Sequence, residues 1–214
     1  MNPLILVGAG GLARETLAAA RLSRDVLGFV DDNPDLHGRI IDGLPVLGST
    51  DVIHSHPDAQ VVLCTASSRD RTSRRRIAAR LRLPAERYAT VIHPSASLAP
   101  GVTIGHGSIV LAFVAVTAPQ AIGAHVVIMP HVTITHDDSI ASYATFAARV
   151  ALAGGVTVGE CAYLGSGALV REGLSIGDDS LVGMGAVVLE DVPPNEVWAG
   201  VPARPMTADL RTAR

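Results

Sequence analysis

Aliphatic residues recur every six positions through the C-terminal half of the chain. Stepping by six from Ile92 to Val188 gives seventeen positions in unbroken phase, sixteen of them aliphatic, with Phe146 the exception. The fourth residue after each is Ser, Thr, Ala or Val in fourteen of the seventeen hexads, and glycine often follows the aliphatic residue directly, as at Gly105, Gly123, Gly159, Gly165, Gly177 and Gly183. A helix demands a repeat near 3.6 and an ordinary strand a repeat of 2, so a strict period of six fits neither. It fits a coil of three short flat strands, each one hexad long, with the aliphatic side chain inward and a turn at each corner. Three hexads complete one coil, coils stack at about 4.8 Å, and the series makes about five and a half coils. A β-sandwich with fortuitous spacing would need gaps and variable turns, which this series lacks.

The first ninety residues follow another pattern. Pro3–Val7 is an apolar run of buried-strand type, followed by Gly8-Ala9-Gly10-Gly11 and a helical stretch from Leu12 to Leu22. A second strand is expected over Asp25–Val30, ending in Asp31-Asp32, and a hairpin over Ile40–Leu47 around Asp42-Gly43. Ser49-Thr50-Asp51 caps a short helix, Gln60–Thr65 is a third strand, and Arg69–Leu83 is an arginine-rich helix stopped by Pro84. The chain therefore divides into an α/β Rossmann-like unit over 1–90, an all-β repeat over 91–192, and a tail over 193–214 that leaves the repeat at Pro193-Pro194.

Composition narrows the picture. Hydrophobic residues make up 48% of the chain but aromatic ones only 3%, which suits a narrow core filled by Val, Ile, Leu and Ala. A net charge of -3 gives no basic footprint for nucleic acid. All 17 basic residues are arginine, which excludes a lysine nucleophile or a Walker lysine. No run of eighteen apolar residues and no basic leader is present, so no membrane partner is expected. Cys64 and Cys161 are too few for a disulfide framework or a metal cluster, and a reducing cytoplasm is the expected setting.

Gly8-x-Gly10-x-x-Ala13, after a strand and before a helix, has the form of a phosphate-binding turn, with acidic residues about 20 positions on. Alone it suggests NAD, or a tight turn without a ligand. The unit is roughly half of a dinucleotide fold, so a mononucleotide or nucleotide-sugar fits better. With the hexad series it resembles the hexapeptide-repeat transferase superfamily, and within it the bacterial sugar O-acyltransferases and nucleotide-sugar N-acetyltransferases, which act on sialic acid or UDP- or GDP-amino sugars. The resemblance covers nearly the whole chain and includes Gly28-Phe29-Val30-Asp31-Asp32, Asp42-Gly43-Leu44-Pro45-Val46-Leu47-Gly48 and Trp198-Ala199-Gly200-Val201-Pro202-Ala203-Arg204. It implies a left-handed parallel β-helix, acetyl-CoA as donor, a homotrimer, and a nucleotide-sugar held by Gly8, Gly10, Gly11, Asp31 and Asp32. The family's Gly-His-Gly is Gly11-Leu12-Ala13 here, which removes a polar contact beside the phosphates.

Acyl transfer from a thioester needs a base for the attacking amine or hydroxyl and a donor for the oxyanion. Ile134-Thr135-His136-Asp137-Asp138 stands where the family carries its catalytic Asn-His-Asp/Glu. The resemblance makes His136 the base, Asp137 its support, and Thr135 the replacement for Asn. It also implies a thioester-binding glycine at Gly154, coenzyme A contacts at Gly155, Trp198 and Arg204, and a second family histidine at the position of Thr145. Trp198 is equally suited to capping the open apolar end of the last coil. Coil arithmetic speaks independently, since residues eighteen apart stack and Gly154 falls one coil beyond His136. It also makes neighbours of Gln120 and Asp138, two polar residues at positions otherwise small or apolar; they should hydrogen-bond and stiffen the coil that carries His136. A rival reading takes His131 and His136 as zinc ligands of a γ-carbonic-anhydrase-like site. The third ligand position, two coils earlier, is Ser95, which leaves a three-ligand catalytic zinc site short of one donor.

Overall fold

The computed structural model describes residues 2–206, so the tail is described as far as Met206. In the α/β unit, strands β1 (Leu4–Val7) and β2 (Val26–Val30) flank helix α1 (Gly11–Ala20) in the chain; a hairpin of β3 (Ile40–Ile41) and β4 (Leu44–Pro45) follows, then β5 (Gln60–Leu63) and helix α2 (Ser73–Leu81). The sheet is parallel in the order β2-β1-β5. Leu4, Ile5 and Leu6 are fully buried in β1, as expected of a central parallel strand covered on both sides. Helix α2 is shorter than the expected Arg69–Leu83. Ser67 and Asp70 close a turn ahead of it, and Arg82 ends it in the left-handed conformation two residues before Pro84.

The repeat folds as seventeen two-residue strands, from β6 (Val91–Ile92) to β22 (Val187–Val188), each placed by one member of the hexad series. Partners lie eighteen residues apart, as in Val91↔Ile109, Ile109↔Val127 and Val127↔Thr145. The strands form three faces of a prism. Face A carries the strands at Ile109, Val127 and Thr145, face B those at Ala115, Thr133 and Ala151, and face C those at Ala121, Ser139 and Thr157. The aliphatic of each hexad and the residue four later both point inward, so Ile128, Val132, Ile134, Val150 and Val156 are fully buried. At each corner the third residue after the aliphatic has a left-handed backbone. From position 101 to 185 this holds at every corner, glycine or not, except Pro119. Proline cannot adopt a positive φ.

The prism closes with β23 (Val197–Ala199) and β24 (Arg204–Pro205), which extend face A. Trp198 is buried in the core of the last coil, and its Nε1 donates to Glu196.

The α/β unit sits on face A. Outward residues of that face, Ile109, Val127 and Thr145, are buried, whereas Ala121, Ser139 and Thr157 on face C are exposed. Arg74 of α2 pins the contact. Its guanidinium, in a side chain only 1% exposed, donates to the carbonyls of Thr65, His125, Tyr143 and Ala144 and to Thr145 Oγ1. No carboxylate is among these partners, and burial pulls the group down to about 10. The helical spacing Arg74, Ile77, Ala78, Leu81 shows in the sequence that this arginine lies on the apolar side of α2.

Candidate active site

His136 stands on the edge between faces B and C, in the turn from β13 (Thr133–Ile134) to β14 (Ser139–Ile140). Its side chain is largely solvent-exposed, and Nδ1 lies 2.8 Å from Asp137 Oδ2. A proton on Nδ1 satisfies that carboxylate and leaves Nε2 as the open, proton-accepting nitrogen. One coil on, Gly154 lies against the ring: a Cβ there would be 2.3 Å from Cε1 and 2.5 Å from Nε2. Any side chain at 154 would displace the imidazole. Gly155 N–H donates to His136 O, while Gly154 N–H has no partner among the described residues. A glycine with a free N–H thus lies beside an open imidazole nitrogen in one small patch.

Gln120 and Asp138 meet, though not as expected. The amide oxygen of Gln120 accepts from the Asp138 backbone N–H at 3.0 Å, and its amide nitrogen donates to Thr135 O at 2.9 Å. The Asp138 carboxylate, in a side chain that is almost fully buried, turns instead to the N–H groups of Thr135 (2.9 Å) and Val156 (2.8 Å). The sequence pointed to the columns but not to the backbone as the shared partner. Thr135 Oγ1 is enclosed without a hydrogen-bond partner among the described residues.

At the mouth of the α/β sheet, Gly8 has φ +102°, and a Cβ there would stand 3.3 Å from Cys64 O and Thr65 Cγ2, whereas Gly10 and Gly11 face open space. Helix α1 begins there with no side-chain cap and no acidic residue in its first turn, leaving N–H groups for an anion. Asp31 accepts from Ala9 N–H and steadies this turn. Asp32 accepts from Thr50 and from Arg80. Burial pushes its carboxyl up, but the Arg80 and Thr50 bonds outweigh that and hold it below the usual range. A cleft of about 130 Å³ opens between Gly8, Asp31, Asp32, Thr50, Thr65 and Ile77. Thr50 and Arg80 were not legible as part of this mouth, because only the fold brings α2 and the capped turn to Asp32.

Three further positions complete the inventory. Arg204 is exposed and paired with Glu190 at 3.1 Å. Thr145, at the family's second-histidine position, lies under Arg74 on face A, away from the His136 edge of its own chain. His131 stacks on Phe113 at the A–B edge, so it and His136 stand at different edges of one prism. Among the described residues no group of three or more His, Cys, Asp or Glu is arranged to hold a metal, and no helix is long and apolar enough to cross a membrane.

Comparison with known proteins fits this architecture. The family described as the PglD N-terminal domain matches residues 3–81. No curated protein sequence matches the chain. Among solved structures, a histidine-to-asparagine variant of perosamine N-acetyltransferase from Caulobacter crescentus, in complex with CoA and GDP-perosamine, is 30% identical, with 97% of this chain and 98% of that one covered at a TM-score of 0.87. The acetyltransferase domain of PglB from Neisseria gonorrhoeae is 27% identical (96% and 100% covered, TM-score 0.83). WeeI from Acinetobacter baumannii is 28% identical (95% and 99% covered, TM-score 0.83). With its α/β unit seated on a left-handed parallel β-helix of hexads, the chain belongs to the sugar acetyltransferases of the hexapeptide-repeat superfamily.

Proposed function

We propose that the protein transfers an acetyl group from acetyl-CoA to an amine or hydroxyl of a nucleotide-linked sugar. The observation that carries this reading is the His136 imidazole held against a glycine whose N–H is unpaired. Solved relatives bound to CoA and GDP-perosamine, or to acetyl coenzyme A, support the substrate classes.

Acetyl-CoA supplies the acyl thioester. His136 Nε2 takes the proton as the sugar nitrogen or oxygen bonds to the acyl carbon and the carbon–sulfur bond breaks. Asp137, on Nδ1, orients the ring and supports its positive charge. Gly154 N–H donates to the carbonyl oxygen as that atom gains charge. Gly155 and the exposed Arg204 suit the coenzyme A side, Arg204 as a cation for a phosphate. Trp198 serves from the core, anchoring the strand that leads into the Arg204 hairpin. Gly8, Gly10 and Gly11, with Asp31 and Asp32 behind them, suit the nucleotide.

The geometry also bears on assembly. The nucleotide mouth belongs to the unit that covers face A, and His136 stands on the opposite edge of the prism. A sugar held at one chain's mouth therefore meets the His136 of another copy. The A–B edge suits that second copy: Phe113 is 60% exposed there, and an apolar hollow of about 390 Å³ opens beside Ala18, Ala19 and Met129. A cyclic homotrimer satisfies every edge at once. Two buried free thiols suit a reducing cytoplasm.

Thiol release from acetyl-CoA, measured with a panel of UDP-, dTDP- and GDP-amino sugars, tests the reading. Turnover with at least one sugar and its loss in His136→Ala are expected. No turnover with any sugar, or full turnover in His136→Ala, would overturn it.

A further inference from the structure

The turn that carries His136 is braced by two polar side chains at once, Gln120 and Asp138. At several corners the N–H of the last turn residue bonds to the carbonyl three residues back, as in Val150 N–H to Ala147 O and Ala168 N–H to Gly165 O; at one other corner the Ser108 hydroxyl is inserted instead, accepting from Val126 N–H and donating to Gly123 O. The third turn residue also bonds one coil back, as in His131 N–H to Ala112 O, Tyr143 N–H to Ala124 O and Arg149 N–H to Pro130 O. At His136 the first of these bonds is replaced. The amide of Gln120 stands between the two groups that would pair, accepting from Asp138 N–H and donating to Thr135 O.

The ladders on either side are interrupted as well. Strand β13 pairs the next coil only through Thr133↔Ala151, and Thr135 N–H is turned back to Asp138 Oδ2. Strand β14 pairs the previous coil only through Ile122↔Ile140. The other carboxylate oxygen of Asp138 takes Val156 N–H, two residues beyond Gly154. One coil before the His136 turn lies Pro119, whose ring excludes the left-handed corner used elsewhere. This corner therefore departs from the repeat on both coils, and two polar side chains supply the hydrogen bonds that the backbone gives up.

We propose that Gln120 and Asp138 are positioning residues that hold the His136 turn open and fix its imidazole against Gly154. Neither side chain hydrogen-bonds to the ring. Gln120 sets the spacing between Thr135 and Asp138, and Asp138 ties that turn to the glycine turn of the next coil. The two elements required to act together, ring and glycine N–H, are thereby held by one four-bond bridge. A closed alternative is available to the chain, because small or apolar residues at both positions would let the turn close as those ending at Val150 and Ala168 do. The polar pair raises specificity of geometry at a position where the repeat by itself would build a closed corner.

The proposal rests on His136 acting as base, and the test keeps the two separable. Gln120→Ala removes the inserted amide, and a double Gln120→Val/Asp138→Val variant restores residues typical of the repeat. Both variants are expected to fold, with a thermal midpoint equal to or above that of the parent for the double variant. In both, kcat for acetyl transfer is expected to fall about a hundredfold, the scale of a misplaced reacting group, with KM for acetyl-CoA changed by less than about twofold. The ring is read directly by NMR of protein with 13C-labelled histidine: the His136 Cε1 resonance, assigned by its loss in His136→Ala, should move in Gln120→Ala. An unmoved resonance, or a retained kcat while His136→Ala is inactive, overturns the positioning role. A moved resonance together with an active His136→Ala leaves the positioning intact and overturns the role of His136 as base.

Discussion

Replacing Gly154 by alanine tests the contact on which the site depends. A methyl at this position would stand 2.3 Å from His136 Cε1, 2.5 Å from Nε2 and 2.9 Å from Nδ1. Ordinary carbon contacts lie at about 3.5–4.0 Å, so the ring or the coil must give by about 1 Å. Gly154 is not in the left-handed region, so the methyl adds no backbone strain of its own. The coil is fixed by Gly155 N–H to His136 O and Gly173 N–H to Gly154 O, whereas the imidazole is largely exposed. The ring therefore moves. Swinging it off its rotamer costs about 0.5–1.5 kcal/mol at most, so thermal stability should change little. Misplacing a reacting group by about 1 Å costs about a hundredfold in rate, equivalent to about 2.7 kcal/mol of transition-state stabilisation. Thiol release under saturating substrates measures kcat, and calorimetry measures the midpoint. A variant with kcat within about twofold of the parent would refute the stacked geometry as a requirement. A large fall in the midpoint would show instead that the coil, not the ring, absorbs the methyl.

Three further outcomes are expected. Mixed assemblies of His136→Ala with Gly10→Trp, which fills the nucleotide mouth, should regain activity that neither variant has alone; failure to complement would place both halves of the site in one chain. Arg74→Met should destabilise by about 3 kcal/mol or more in chemical denaturation, because buried carbonyls of Thr65, His125, Tyr143 and Ala144 lose a donor. Burial raises the Asp138 carboxyl above its usual range, against the Val156 and Thr135 N–H bonds and the nearby His136 that lower it. The sign follows: its contribution to stability is fully present below the unfolded pKa and is lost as pH rises through the folded one. The midpoint of the parent should gain on that of Asp138→Val between about pH 7 and pH 4, and a constant difference across that range would contradict it.

The hexad series made most of the prism legible, since inward positions repeat so regularly that strand, corner and column follow from counting. It also made the Gly154 column and the Gln120–Asp138 neighbours visible before any coordinates. What counting missed was the destination of hydrogen bonds. Gln120 and Asp138 meet through Thr135, Asp138 and Val156 backbone groups, and no pattern of side chains announces a displaced backbone bond. Pro119 was the available signal, being unable to take the corner conformation. The α/β unit was legible strand by strand, but its seat on face A was not. That contact is written in Ile109, Val127 and Thr145, which face outward and are nonetheless buried, and in an arginine on the apolar side of α2.

The eighteen-residue pitch also limits how this sequence can change length. Between the seat of the α/β unit and His136, loss or gain of one hexad would turn the base from one edge of the prism to the next, a rotation of about 120° for a three-sided coil. Between His136 and Gly154 the same event would separate ring from glycine. Whole coils keep both relations only when they fall outside the His136–Gly154 pair; between those two, only loops extruded at corners keep the contact. Natural length variation among enzymes of this design should therefore cluster in steps of eighteen residues or in corner loops, and any relative with an odd hexad between its base and its glycine should carry a compensating loop or a different chemistry.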